Sequence, residues 1–312
     1  MLSRVADSLY WMSRYLERAE HTARLIDVHL NIMLELADEH EAERLNHLLQ
    51  SLTIETPLEK SEEILLFMAF DTDHPASIAS TIASARENAR QVREQLSSEM
   101  WMQLNKLYLL VQKADADTIW SVAPHDYLIQ VREGSHLFQG VTDATMNHNQ
   151  GWHFIQIGRY MERALSLLNL LDIHFTDIPL VENDISTEYY FDLVGTLKSV
   201  TAFEAYCKVY NPNVRTGEII EFLLFNREFP RSLRFCIDTM LVSLHFLSDV
   251  TGRSRNSRLY RMAGRLQSNL SFDEIGDIDD LGDYINNIKQ QIYQIHDTLY
   301  DTYISYPIET AL

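Results

Sequence analysis

A chain of 312 residues, 46% of them hydrophobic, is long and apolar enough to bury a core without cross-links. Its formal net charge of −19 argues against nucleic acid as a general partner, because such binding relies on Lys and Arg displacing counterions from phosphate. The two cysteines, Cys207 and Cys236, lie far apart and form no Cys-x-x-Cys pair, which excludes a disulfide framework or a zinc knuckle and points to a reducing compartment.

From Met1 the sequence runs directly into an amphipathic pattern, without the apolar stretch and small-residue cleavage site of a signal peptide. No segment approaches the roughly 20 consecutive apolar residues of a membrane helix, so a cytoplasmic protein with no membrane partner is expected. Glycine is scarce, with 10 residues, and Leu, Ala, Glu, Arg and Met are plentiful, which predicts an all-α fold. In chain order, helices are predicted over 3–36, 40–53, 61–70, 75–113, 116–138, 147–175, 186–210, 216–226, 230–250, 256–270 and 280–305. Breakers place loops at 176–179, 211–213, 251–252 and 273–283.

The first predicted helix carries an apolar stripe at Leu9, Met12, Leu16, Ala19, Ala23, Ile26 and Leu30, spaced by alternating three- and four-residue steps. The same stripe returns 145 positions later as Phe154, Ile157, Met161, Ala164, Leu168, Leu171 and Phe175. Polar identities return with it. Arg14-Tyr15-x-Glu17-Arg18-Ala19 recurs as Arg159-Tyr160-x-Glu162-Arg163-Ala164, and Asp27-x-His29 as Asp172-x-His174. Farther along, Phe67-x-x-Phe70-Asp71-x-Asp73-x-Pro75-x-Ser77 parallels Phe222-x-x-Phe225-Asn226-x-Glu228-x-Pro230-x-Ser232, read as helix starts with proline in the first turn. The reading is a helical bundle of two pseudo-repeats, 1–140 and 141–312, which also suits one continuous helical domain.

Arg14, Glu17, Arg18 and His21 form one polar strip beside the apolar stripe, and Ala19 and Ala164 leave room for a second helix to approach. Two arrangements fit the strip. Either Arg14 and Glu17 form an intrahelical ion pair, or the two Glu-Arg units meet near a pseudo-twofold axis and form a polar pocket for a charged ligand or partner. Glu17 and Glu162 are then the candidate catalytic carboxylates. Arg14, Tyr15, Arg18, Arg159, Tyr160 and Arg163 are the candidate binding residues.

Two further basic runs join these candidates. Arg86, Arg90 and Arg93 place three guanidinium groups within two turns, and Arg231-x-x-Arg234 echoes them in part. Arg258, Arg261 and Arg265 belong to a cluster that begins with Arg253 and Arg255, suited to an anion, an acidic neighbour or the Asp-rich stretch that follows. The single Glu-x-x-His match, Glu133 to His136, falls short of a bundle di-iron site, so no metal is expected. His29 and His174 read as helix-end residues that satisfy carbonyls or pair with Asp27 and Asp172. No glycine-rich phosphate loop or nucleophile elbow is present in the sequence.

The segment from Leu2 through Met12, followed by Arg14-Tyr15-x-Glu17-Arg18-Ala19-Glu20, resembles the bacterial Alpha-E family, named for a helical fold and a Glu-Arg motif. The resemblance continues through Ala85 to Arg90, Ser98 to Trp101, Gly151-Trp152, Gly158 to Ala164 and Glu228 to Ser232. It implies a setting beside, or fused to, a circularly permuted ATP-grasp protein, often with a transglutaminase-like peptidase and sometimes a proteasome-like one. ATP-grasp proteins activate carboxylates as acyl phosphates for peptide or amide bond formation. The implied role is an accessory or partner subunit of such a ligase, holding the enzyme or an anionic substrate or intermediate. ATP and Mg would reside in the partner, with no cofactor on this chain. The alternatives are a helical enzyme in the same pathway, with Glu17 or Glu162 as base and flanking arginines as orienting groups, and a structural scaffold.

Overall fold

A computed structural model describes residues 1–35, 41–54, 61–122, 124–176, 187–252 and 257–305, and among them all regular structure is helical. The helices are α1 (Ser3–Glu35), α2 (Glu41–Ser51), α3 (Ser61–Phe70), α4 (Ile78–Gln91), α5 (Ser98–Gln112), α6 (Ala116–Val122), α7 (Pro124–Thr145) and α8 (Gln150–Phe175). They continue with α9 (Thr187–Ser199), α10 (Phe203–Val209), α11 (Thr216–Phe225), α12 (Leu233–Thr251), α13 (Arg258–Phe272) and α14 (Leu281–Leu299). No described helix is long and apolar enough to cross a membrane.

Helices α1 and α8 form the centre and lie along each other. Around them, α4 and α7 pack on α1, while α12 and α14 pack on α8. The outer helices are linked in turn, α5 to both α4 and α7, and α13 to both α12 and α14. This placement explains the burial of the two central helices. Of the two apolar stripes, all but Leu30 are fully buried, and Leu30 packs partly exposed against the core. Burial extends to the polar positions as well, including Arg14, Glu17, Glu20, Arg159 and Glu162. A helix surrounded on every side must bury its charges along with its leucines.

Ala19 and Ala164 are both buried, and α1 and α8 also approach closely at Gly158. A Cβ there would overlap the Tyr10 carbonyl oxygen and the Ser13 hydroxyl. Ser13 is the residue 145 positions before Gly158, so small residues at equivalent positions of the two helices set their separation.

Three predicted helices are each two. The stretch 75–113 breaks after Gln91, passes through a 3-10 turn at Arg93–Gln95 and restarts with the Ser97 hydroxyl accepting from the Met100 amide at 3.1 Å. The stretch 116–138 is covered by α6 and α7, the second starting at Pro124, whose missing N–H and fixed φ suit the first position of a helix. The stretch 186–210 breaks at Thr201, which sits in the left-handed region at φ 55°. Helix α7 runs on to Thr145, so a boundary at 140/141 falls inside it, and the chain turns at 146–149.

The proline-containing starts also differ from expectation. Pro75 and Pro230 precede the caps, and α4 and α12 begin after Ser77 and Ser232. The two turns share one hydrogen-bond pattern. Asp71 Oδ1 accepts from the amides of Asp73 and His74 at 2.7 and 3.1 Å, and Asn226 Oδ1 accepts from those of Glu228 and Phe229, both at 2.9 Å. In each, the serine hydroxyl donates back to the carbonyl of that Asx residue and accepts from the amide three residues on.

The contact at Gly158 yields a paired expectation. Gly158→Val should lower stability by at least about 2 kcal/mol through overpacking against backbone. Gly264→Ala, in α13 with open space around its missing Cβ, should raise it by about 0.5–1 kcal/mol. Urea unfolding followed by circular dichroism measures both.

Candidate functional site

The two Glu-Arg units meet across the α1/α8 contact, and their ion pairs run between the helices. Arg14 Nε donates to Glu162 Oε2 at 2.7 Å, and Arg18 Nε to Glu162 Oε1 at 2.6 Å. In return, Arg163 Nε and Nη2 donate to the two oxygens of Glu17 at 2.6 and 3.0 Å. The intrahelical Arg14–Glu17 pair does not form. Each arginine instead reaches the carboxylate of the opposite helix, because both strips face the same interface.

The arrangement is only partly symmetric. Arg159, the counterpart of Arg14, donates to Gln156 at 3.3 Å and approaches Asp143 at 4.0 Å rather than Glu17. Its place is taken by Arg231, which stands before α12 with Nη1 3.4 Å from Glu17 and Nη2 donating to Glu20 Oε2 at 2.6 Å. Glu20 also accepts from Arg24, one turn along, and lies 3.3 Å from His136 of α7. Gln139 of the same helix donates to Glu17 Oε2 at 3.1 Å.

Burial alone would raise the Glu17 carboxyl, but the Arg163 and Arg231 guanidinium groups outweigh it and hold its pKa below the ordinary range. Arg14 and Arg18 do the same for Glu162 against a similar burial penalty. Glu20, fully enclosed, is held well below the ordinary value by Arg231, His136 and Arg24. The space left between Glu17, His21, Arg163 and Arg231 is about 10 Å³, enough for about one water. The expected polar pocket is therefore a closed interlock. A carboxylate held ionised, enclosed and saturated with arginine donors is a poor general base, so Glu17 and Glu162 lack the access that a catalytic role requires.

The remaining candidates separate by location. Tyr15 and Tyr160 are half-buried, each beneath the arginine three residues on, with the Arg18 and Arg163 guanidinium carbons 5.8 and 5.0 Å from their ring centres. Arg86 and Arg93 flank Trp101, at 5.4 and 5.5 Å from its ring, and Arg86 also donates to Asn105 at 2.8 Å. Arg90 is exposed and pairs with Glu87. These three do not converge on one ligand. Arg258, Arg261 and Arg265 lie exposed on one face of α13 and form no ion pair among the described residues. Arg253 and Arg255 lie outside the described residues. The Asp-rich stretch does not pair with α13: Asp273 accepts from Tyr284, and Asp277 and Asp280 cap helical turns.

The two Asp-x-His pairs are also corrected. Asp27 bonds to His125 at 2.7 Å and accepts from Arg132 at 2.6 Å, and Asp172 accepts from Lys289 at 2.7 Å. His29 and His174 turn elsewhere, toward a cavity beside α2 and α9. Of the residues that sequence reasoning left out of the site, Glu20 and Arg24 had a local signal in their four-residue spacing. Arg231 and His136 stood out only in Arg231-x-x-Arg234 and Glu133-x-x-His136, spacings that do not point to Glu17 or Glu20, since those contacts arise between helices distant in sequence.

Residues 1–304 match the model of the Alpha-E family, described as a predicted alpha-helical domain with a conserved ER motif. The chain is 27% identical to uncharacterised proteins of Mycobacterium bovis and of Mycobacterium tuberculosis over 296 residues, covering 86% of this chain and 32% of theirs. It therefore spans about a third of the length of these curated relatives. No solved structure matches the chain significantly.

The interlock predicts a large response to single charge removal. Glu17→Gln leaves Arg163 and Arg231 buried without their carboxylate and should cost about 3–5 kcal/mol in urea unfolding, while Glu87→Gln on the surface should leave the midpoint unchanged. Stability should also fall in acid, in two stages. Burial pushes the His21, His29 and His174 imidazoles down to about 4, whereas in the unfolded chain they titrate near 6.5. The unfolded state thus takes up protons first, and stability that is full above about pH 6.5 declines toward pH 4. The depressed carboxylates Glu17, Glu20 and Glu162 extend the loss to lower pH. Urea midpoints across this range check the sign, and His21→Asn should flatten the upper stage.

Proposed function

The chain belongs to the Alpha-E family, and from that membership we propose that it serves as the helical partner subunit of an ATP-grasp-dependent peptide or amide ligase in the cytoplasm. In this proposal the catalytic centre, with its ATP and Mg, lies on a circularly permuted ATP-grasp protein, and a transglutaminase-like peptidase belongs to the same system. The helical chain binds the ligase, or an anionic substrate or intermediate, through an arginine-bearing surface. Its two repeats, taken as 1–140 and 141–312, are joined by the Glu-Arg interlock into one rigid support. The matched neighbours of α1 and α8, and the matched turns before α4 and α12, support the repeat reading.

One observation carries the proposal. The cations of the Glu-Arg motifs are spent inside the protein, whereas Arg258, Arg261 and Arg265 stand exposed on α13 with Phe272 two turns beyond Arg265 on the same face. In a chain of net charge −19 an exposed cationic stripe next to an exposed aromatic side chain suits an acidic or phosphate-bearing partner surface. The length of the relatives accords with a domain that works beside other sequence.

A scaffold is the second reading, favoured by the burial of Glu17, Glu20 and Glu162. The role of independent enzyme draws no comparable support, since both candidate carboxylates are sealed.

Co-expression with the neighbouring ATP-grasp protein, followed by ADP release over an amino-acid panel, tests the proposal. A complex should form, and ADP release should depend on this chain. The double variant Arg261→Glu/Arg265→Glu should weaken association at least about tenfold without lowering the melting temperature. Turnover indifferent to the presence of this chain, with no complex, would leave the scaffold reading.

A further inference from the structure

Helix α5 packs on α4 and α7, burying Met100, Gln103, Leu104, Leu107 and Val111, and its other side faces solvent. The solvent side of an outer helix is ordinarily polar. Here Met102 is 66% exposed and Leu109 is 42% exposed, two turns apart on one line, and Leu137 of the adjacent α7 is 52% exposed. Gln103 Nε2 donates to the Gly134 carbonyl at 3.1 Å, and a Cβ on Gly134 would overlap Leu107, so α7 lies close along α5 with Leu137 one turn beyond that contact. Scattered apolar residues on a surface are ordinary, but large ones grouped on two adjacent helices mark an interaction surface.

The charges on the same face identify the partner. Positions 102, 106, 109 and 113 fall on one helical stripe, and Glu99 precedes it by one turn. Glu99, Lys106 and Lys113 are exposed and form no ion pair among the described residues. With a rise of 1.5 Å per residue, Glu99 and Lys113 stand about 10 and 11 Å to either side of the midpoint between Met102 and Leu109. The face therefore complements itself when a second α5 is laid on it antiparallel. A twofold axis through that midpoint sets Met102 of each copy against Leu109 of the other, and Glu99 of each beside Lys113 of the other. Both pairs then occur twice, as an isologous interface requires. Lys106 comes beside its own symmetry mate near the axis, an opposed contact that its long stem relieves by turning the ammonium outward to water.

We infer that α5 is a homodimerisation surface, on which a second copy of this chain packs its own α5 antiparallel about the midpoint between Asn105 and Lys106. The surface is separate from the α13 stripe, so self-association and ligase binding succeed or fail independently.

Sedimentation equilibrium of the full chain over a concentration series tests this inference. The chain should dimerise with a Kd of about 100 μM or tighter. Met102→Glu/Leu109→Glu should weaken the dimer at least about tenfold without lowering the melting temperature of the dilute chain, because both side chains face solvent there. Glu99→Lys and Lys113→Glu should each weaken it at least about threefold, and combining the two should restore the wild-type affinity, since opposite charges again face each other. A chain monomeric throughout the series, a dimer indifferent to Met102→Glu/Leu109→Glu, or a combined charge exchange no tighter than either single variant would each overturn the inference.

Discussion

A carboxylate removed from water must meet a cation or lose its charge, and the interior of this protein is organised around that constraint. Glu17 and Glu162 sit on the two central helices at equivalent positions, and each is satisfied by arginine from the other helix. The exchange works only at one axial register of α1 against α8. A shift of one turn would carry both carboxylates past their partners at once. Because desolvation offsets much of the attraction in such pairs, their main effect is to select this register over competing ones, while the apolar stripes supply the bulk of the burial energy.

The interlock also shapes what surrounds it. Glu20 adds a third buried carboxylate on α1 without an equivalent on α8, where Leu165 stands instead. Arg231 answers it, entering from the turn before α12 and bridging Glu17 and Glu20. That turn is fastened by Asn226 and Ser232, so the guanidinium is delivered by a rigid connection. The two central helices thus differ at the point of contact: α1 contributes the extra acid, and the turn before α12 contributes the extra base.

The charges of the Glu-Arg motif are taken up at the helix interface. The α13 arginines face solvent instead. They lie outside the repeated Arg-Tyr-x-Glu-Arg-Ala segment. The repeated charges of the motif satisfy one another across the two central helices.

The helical class, the two apolar stripes and the recurrence of the Glu-Arg unit were legible in the sequence because they depend on spacing within a single helix. Breaks at Ser97 and Thr201 were harder to read, since neither residue type by itself stops a helix. The direction of the ion pairs was beyond reach. Arg14 has Glu17 within helical reach and Glu162 at 148 positions' distance, and only the packing of α1 on α8 determines which carboxylate it meets. The same holds for Arg231, His136 and the cavity around Arg44, whose neighbours come from helices far apart in the chain. Local periodicity fixes which face of a helix is buried; what that face touches is decided by tertiary packing, because the partners are brought together only when the helices assemble.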